Sequence, residues 1–402
     1  MNNNYVPKKE ILEKYANVLV NFALNSCSGI KPSQRCFIKA PECSKPLIKE
    51  VYIAVLKAGA IPIVQMYPDN FSKIFYELAS DEQLKSFPKH FTEGSILDAD
   101  CNIHLIAETD KYELKDIDPK KIMTRQKAYE PFYNIRKDRE KKGLFSWTLC
   151  LYGTDHMATE VGMSPEEYWD EIINACYLNE DDPVQEWKTL MVQIDEIKDK
   201  LNNLEIDKLH IEAEETDLWI KIGPSRKWLG GSGHNIPSYE IFISPDCRGT
   251  EGKIYFNYPL FRTGNKMTDI RLEFKDGKII NATASEGEEF LKEMISVKNA
   301  DMIGEYSLTD SRMSRIKRLM GETLYDENTG GEFGNTHLAI GNAYTESYPG
   351  DEDSLTDKDW ENLGYNNSVI HTDIIATTNR TVTAHLADGS TKIIYKDGQF
   401  QV

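Results

Sequence analysis

Apolar positions in the first 160 residues recur with two alternating periods. Ile11, Leu12, Tyr15, Val18, Leu19 and Phe22 fall close to helical spacing, as do Ile48, Val51, Tyr52 and Val55. Short apolar runs separate such stretches: Cys36–Ile38, Ile61–Met66, Asn102–Ala107 and Phe145–Tyr152. These predict strands alternating with helices, and hence a parallel α/β sheet. One basic helix is predicted over about 119–142. A helical connector follows. Ser164-Pro165-Glu166-Glu167 opens one helix, with serine as cap, proline in the first turn and acids facing the dipole. Asp181-Asp182-Pro183 opens another, reaching to about Leu204. Beyond Leu209 the period shortens to two. Leu218–Ile222, Lys253–Tyr258 and the pair Ile270–Phe274 and Lys278–Ala282 read as strands, the last two joined by an Asp276-Gly277 turn. Thr381–Leu386 and Lys392–Tyr395 form a similar pair. The expected division is an α/β domain with its helical connector over 1–205 and a β-rich α+β domain over 206–402.

The length of 402 residues agrees with two cores rather than one. Hydrophobic residues at 40% and charged residues at 28% describe an ordinary globular chain. A net charge of −18 opposes nucleic-acid phosphate and tolerates a small cationic ligand, such as a peptide with a free amino terminus. No apolar run is long enough to span a membrane, and the N-terminus lacks the pattern of a signal peptide, so a cytoplasmic location is expected. The seven cysteines contain no Cys-x-x-Cys pair and read as reduced thiols.

Several catalytic motifs are absent: His-Glu-x-x-His, Gly-x-Ser-x-Gly, a phosphate loop and a dinucleotide glycine fingerprint. Candidate chemistry instead gathers in the C-terminal half. Glu240 starts a strand-like run, Glu305 sits within an apolar segment, and His337 follows a glycine-rich turn. An acid among apolar neighbours is costly to bury unless it is paired or binds a cation. His371 and Asp373 are two apart, so on a strand they share a face. Nitrogen and oxygen donors of this kind suit Zn²⁺, Co²⁺ or Mn²⁺. Taken singly, Glu240 also reads as a surface acid, Glu305 as a salt-bridged acid and His337 as a hydrogen-bonded structural histidine. His234 reads as a surface loop residue. His90, His104, His210 and His385 read as structural, while Asp155 and His156 follow a strand end, where ligands collect in α/β sheets.

The segments Asn235–Phe242, Ile303–Leu308, Leu324–Asn328, His337–Tyr344 and His371–Asp373 resemble, in order and separation, the M29 family of metallo-aminopeptidases. That resemblance implies two divalent ions per chain (Zn²⁺, Co²⁺, Mn²⁺ or Mg²⁺). It implies Glu240 and His337 as ligands on one side, Glu305 at or near the bridging position, and His371 and Asp373 on the other, with Glu327 as a further ligand. The chain departs from the family pattern in Thr329–Thr336, which widens the gap before His337 and brings Glu332 closer to it than Glu327. Tyr239 is bulky where the family has a small residue, and is expected to crowd a substrate subsite.

The activity implied is removal of N-terminal amino acids from short peptides by a water activated between two metals. Glu305 would handle the water's proton and Tyr344 would face the carbonyl oxygen, although Tyr344 also reads as a core tyrosine. A homodimer whose sites face an enclosed space is implied as well. Two other readings remain: a two-metal phosphoester hydrolase, which the acidic balance and missing phosphate loop disfavour, and a non-catalytic binding protein, disfavoured because every proposed ligand position keeps a competent residue.

Overall fold

The computed structural model describes residues 5–402, which fold as two compact units. The first takes the chain up to Lys188 and the short return Ser232–Pro237. The second is Thr189–Gly231 with Ser238–Val402. The division falls inside the helix Pro183–Asn202.

In the first unit five parallel strands lie in the order Ile61–Tyr67, Arg35–Pro41, Cys101–Ile106, Ser146–Leu151 and Asn235–Ile236. Parallel neighbours need a crossover, and helices such as Lys45–Lys57 supply it. Alternation along Arg35–Pro41 sends Cys36, Ile38 and Ala40 into the core. The basic stretch forms two helices rather than one, Pro119–Ala128 and Glu130–Lys141. Pro131 explains the break: it has no N–H to donate, and its ring would meet the carbonyl four residues earlier. Ser164 caps the helix Pro165–Ala175 in a capping box. Its hydroxyl accepts from the Glu167 N–H, while the Glu167 carboxylate accepts from the Ser164 N–H at 2.8 Å.

The second unit holds two larger antiparallel sheets. Eight strands run in the order Lys278–Thr283, Ile270–Lys275, Glu251–Phe256, Thr216–Lys221, Ile206–Ala213, Arg380–Leu386, Thr391–Lys396 and Gln399–Phe400. The Asp276-Gly277 turn has both residues at positive φ, 51° and 78°, as a two-residue hairpin requires. The other sheet has four strands, His371–Ala376, Asn335–Gly341, Ile303–Thr309 and Glu240–Ile243. Its two central strands are buried along their whole length. No helix among the described residues is long and apolar enough to cross a membrane, and no disulfide links them.

Because the Ser164 hydroxyl satisfies an otherwise orphaned helix N–H, Ser164→Ala is expected to cost ~1 kcal/mol. A lower midpoint in urea unfolding checks this. An unchanged midpoint would show that the cap contributes nothing.

Candidate metal centre

The four-stranded sheet decides which side chains meet. Side chains on a strand alternate between faces, and directly paired residues of neighbouring strands share a face. His337 pairs with Ser307, and Ala339 with both Glu305 and Asp373. Gly341 pairs with His371, and Thr309 with Glu240. Counting by twos along each strand puts Glu240, Glu305, His337, His371 and Asp373 on one face.

Glu305 sits at the centre. Its Oε1 lies 3.0 Å from His337 Nε2, and its Oε2 lies 3.8 Å from His371 Nε2. His337 Nε2 is also 3.4 Å from Glu240 Oε2, and His371 Nε2 is 3.3 Å from Asp373 Oδ1. Two triads capable of holding an ion result, Glu240–Glu305–His337 and Glu305–His371–Asp373, with Glu305 common to both.

Both imidazoles are oriented from behind. His371 Nδ1 contacts the Asn342 carbonyl oxygen at 2.8 Å, and His337 Nδ1 contacts that of Glu327 at 3.4 Å. A carbonyl only accepts, so each Nδ1 carries the proton. In the neutral ring Nε2 then offers its lone pair to the cluster, the tautomer that a metal ligand needs. Gly304 makes the first contact possible. A Cβ there would collide with the Asn342 carbonyl, beside an irregularity in the register between Ile303 and Glu305.

Burial and charge are badly matched in the absence of cations. Glu305, Glu327 and His337 are buried, and Glu240, His371 and Asp373 nearly so. Desolvation, with the charges of Glu305 and Asp373, pushes the Glu240 carboxyl up to about 7 despite the opposing pull of His337. Desolvation and the charges of Glu240, Asp373 and Glu305 push Glu327 well above the carboxylate range. Desolvation lowers both histidines, but nearby carboxylates outweigh it and raise each to about 9: chiefly Glu305 for His337, and Asp373 for His371. Asp373 goes the other way. Burial raises it, yet His371, His337 and Arg262 hold it well below its ordinary value. Four acids facing two imidazoles form an anionic set whose donors fit divalent cations.

The remaining expected residues separate clearly. Glu327 follows the short helix Thr323–Asp326 and turns into the cluster's field, whereas Glu332 is exposed in a turn. Within the widened gap the Gly330 and Gly331 N–H groups donate to the Ile316 carbonyl. Tyr344 packs against His371, ring centroids 4.8 Å apart, and against Phe242 at 5.8 Å. Its phenol is raised well above the usual value by desolvation and then by Glu305, Asp373, Glu240 and Glu327, while the residue keeps 40% of its surface exposed. Tyr239 corrects an expectation: it is fully buried, so its ring fills core rather than crowding a subsite, and its N–H donates to Asn328 Oδ1. In the first unit His234 stacks on Trp147, and His156 Nε2 accepts from the Lys111 N–H.

Sequence reasoning missed three supporting groups. Asn342 orients His371 through its carbonyl, Phe242 backs Tyr344, and Arg262 donates to the His371 carbonyl at 3.1 Å beside Asp373. Only Phe242 carried any signal, by its place two residues after Glu240 on a strand.

A family model described as "Thermophilic metalloprotease (M29)" matches residues 8–400. The chain belongs to that family. It is therefore a metalloprotease, a hydrolase that depends on metal. Among relatives of the M29 chain, aminopeptidase AmpS of Bacillus subtilis (strain 168) is 29% identical, over 97% of this chain and 98% of its own. Aminopeptidase PepS of Streptococcus thermophilus is 28% identical, over 98% of both. The solved structure of wild-type AmpT from Thermus thermophilus matches with a TM-score of 0.85 at 23% identity, covering 98% of this chain and 100% of that one. That likeness shows a common fold.

The charge balance sets a pH dependence for the metal-stripped protein. Glu240, Glu327, His337 and His371 all hold their protons more tightly folded than unfolded. Stability linked to such groups is greatest below their unfolded pKa and falls as pH rises through the folded one. Relative to metal-loaded protein, the melting temperature of chelator-treated protein should therefore drop by several degrees from about pH 4.5 to about pH 9. The window is set by the ordinary carboxylate value and the raised histidines. Metal-loaded protein should lack this decline. A difference between stripped and loaded protein that stays constant across this range would contradict the described proton uptake.

Proposed function

We propose that this M29 chain is a metal-dependent aminopeptidase that removes N-terminal amino acids from short peptides through a water activated by two divalent ions. The observation that carries the reading is the Glu305 carboxylate, with one oxygen toward each histidine triad. Aminopeptidase is also the printed name of the relatives AmpS and PepS.

In this reading Glu240 and His337 would hold one ion and His371 and Asp373 the other, with Glu305, common to both groups, contributing to each. Glu327 is assigned as the further ligand in preference to Glu332, because it is buried within the field of Glu240, Asp373 and Glu305 while Glu332 is exposed. When bound, two such ions acidify a water and polarise the scissile carbonyl. Zn²⁺, Co²⁺, Mn²⁺ and Mg²⁺ all fit the oxygen and nitrogen donors. Glu305 accepts the proton of the attacking water by its central position. Tyr344 donates from its hydroxyl to the developing oxyanion. Its raised phenol stays protonated across the working range, as a donor must. The substrate's free amino group would bind one of the ions or a nearby acid, which confines cleavage to the first residue. The reading keeps the expected cytoplasmic location and takes a homodimer from the family resemblance.

Purified protein should release the amino acid from aminoacyl chromogenic substrates, lose activity to a chelator and regain it with Zn²⁺, Co²⁺ or Mn²⁺. A phosphoester run in parallel should not be cleaved. No release with any of these metals would overturn the reading. Tyr344→Phe should lower kcat by about two to three orders of magnitude, the cost of one oxyanion donor, with metal content near wild type. Unchanged turnover would remove Tyr344 from the mechanism. Glu327→Gln should weaken metal binding while Glu332→Gln leaves it intact. The reverse pattern would reassign the ligand.

A further inference from the structure

His371 is oriented by a single backbone carbonyl, that of Asn342. Asn342 lies just past the strand Asn335–Gly341, where the ladder to His371–Ala376 ends. Its N–H donates to the Ile370 carbonyl at 2.6 Å. The residues on either side of it are both held by Asn366. The Asn366 side-chain amide donates to the Gly341 carbonyl at 2.6 Å, and the Asn366 backbone carbonyl accepts from the Ala343 N–H at 2.9 Å. The same amide donates to the Asn299 carbonyl at 2.8 Å and to that of Met302 at 3.4 Å. Asn366 is 5% exposed.

An asparagine amide carries two N–H donors on one planar group, so it can join separate segments. Here it joins the turn before Ile303–Thr309 to the end of Asn335–Gly341, and its own segment leads into His371–Ala376. Those three strands carry Glu305, His337 and the pair His371 and Asp373. Neighbouring contacts tighten the same clasp. Asn299 Nδ2 donates to the Asn367 carbonyl and Ser368 Oγ to the Lys298 carbonyl, both at 2.9 Å, and the Ile370 N–H donates to Ser368 Oγ at 3.2 Å. Satisfying buried carbonyls is a structural task in itself. The placement of Asn366 gives it a second one. The residue it brackets is the one whose carbonyl sets the His371 ring, and Tyr344 follows two positions later with its ring 4.8 Å from His371.

We infer that Asn366 is a positioning residue of the metal centre: by fixing residues 341–343 it keeps the Asn342 carbonyl on His371 Nδ1, and so keeps Nε2 free for an ion. This role rests on the metal-dependent reading above. Without the amide, three carbonyls lose a donor and the Asn342 peptide can turn. His371 then loses the acceptor that fixes its tautomer, whereas His337, held by the Glu327 carbonyl, keeps its own. The effect falls on one triad, Glu305–His371–Asp373.

Zn²⁺ titration of full-length Asn366→Ala, read by native mass spectrometry, should show one ion bound as in the unsubstituted protein and the other about ten-fold more weakly. Nitrogen spectra of protein with isotope-labelled histidine separate positioning from a general loss of stability. In the Zn²⁺-loaded variant the His371 signals should depart from the Nδ1–H pattern while those of His337 retain it. Asn366→Ser, which keeps one donor, should fall between. Equal weakening of both ions, or unchanged binding with unchanged His371 signals, would overturn the role. If the unsubstituted protein binds no Zn²⁺, the metal-dependent reading fails and this role with it. Should neither variant fold, hydrogen exchange in the unsubstituted protein decides. The Asn366 side-chain amide protons, committed to carbonyls, should exchange much more slowly than those of exposed asparagines. Equal rates would overturn the clasp.

Discussion

The centre depends on one buried carboxylate placed between two imidazoles. Glu305 lies on a strand covered on both faces, where an unpaired acid could not persist, and each of its oxygens faces a different histidine. Antiparallel pairing in a four-stranded sheet brings Glu240, His337, His371 and Asp373 to the same face, so the cluster is a property of register more than of any loop. Backbone carbonyls of Asn342 and Glu327 hold both imidazoles with Nε2 forward. That second layer converts a group of acids and bases into a set of ligands with their lone pairs aimed at common points. Gly304 belongs to the same device, since any side chain there would displace the Asn342 carbonyl.

The acids outnumber the bases, and this imbalance connects fold to chemistry. Without cations, protons must be retained on Glu240, Glu327 and both histidines. Divalent ions relieve that demand, so metal affinity and proton release are coupled. The same strand has a second polar face. Tyr306, next to Glu305, lies on that opposite face and is fully buried there.

Much of this was legible where a period or a turn chemistry existed. The alternation of strands with helices announced the parallel sheet, Asp276-Gly277 announced its hairpin, and Ser164 with Glu167 announced a capped helix. The spacing of His371 and Asp373 placed both on one face of a strand, as found. The central strands were harder. Ile303–Thr309 and Asn335–Gly341 are buried on both faces, so neither shows the alternation by which a strand is recognised. The meeting of Glu240 with His337, 97 positions apart, is a matter of sheet order and has no local trace. Residue size misled at Tyr239, where bulk served the core. Pro131 was the overlooked breaker in the basic stretch. Arg262 gave no warning, because an arginine's burial depends on what folds over it.

The number of ions bound by the cluster tests the two-centre arrangement most directly. Metal-loaded protein, dialysed against metal-free buffer and assayed by elemental mass spectrometry, should retain two divalent ions per chain. Glu305→Gln, which keeps the size but removes the shared charge, should retain fewer than one. A single ion in the native protein, or two ions undisturbed by Glu305→Gln, would contradict the bridging role of Glu305.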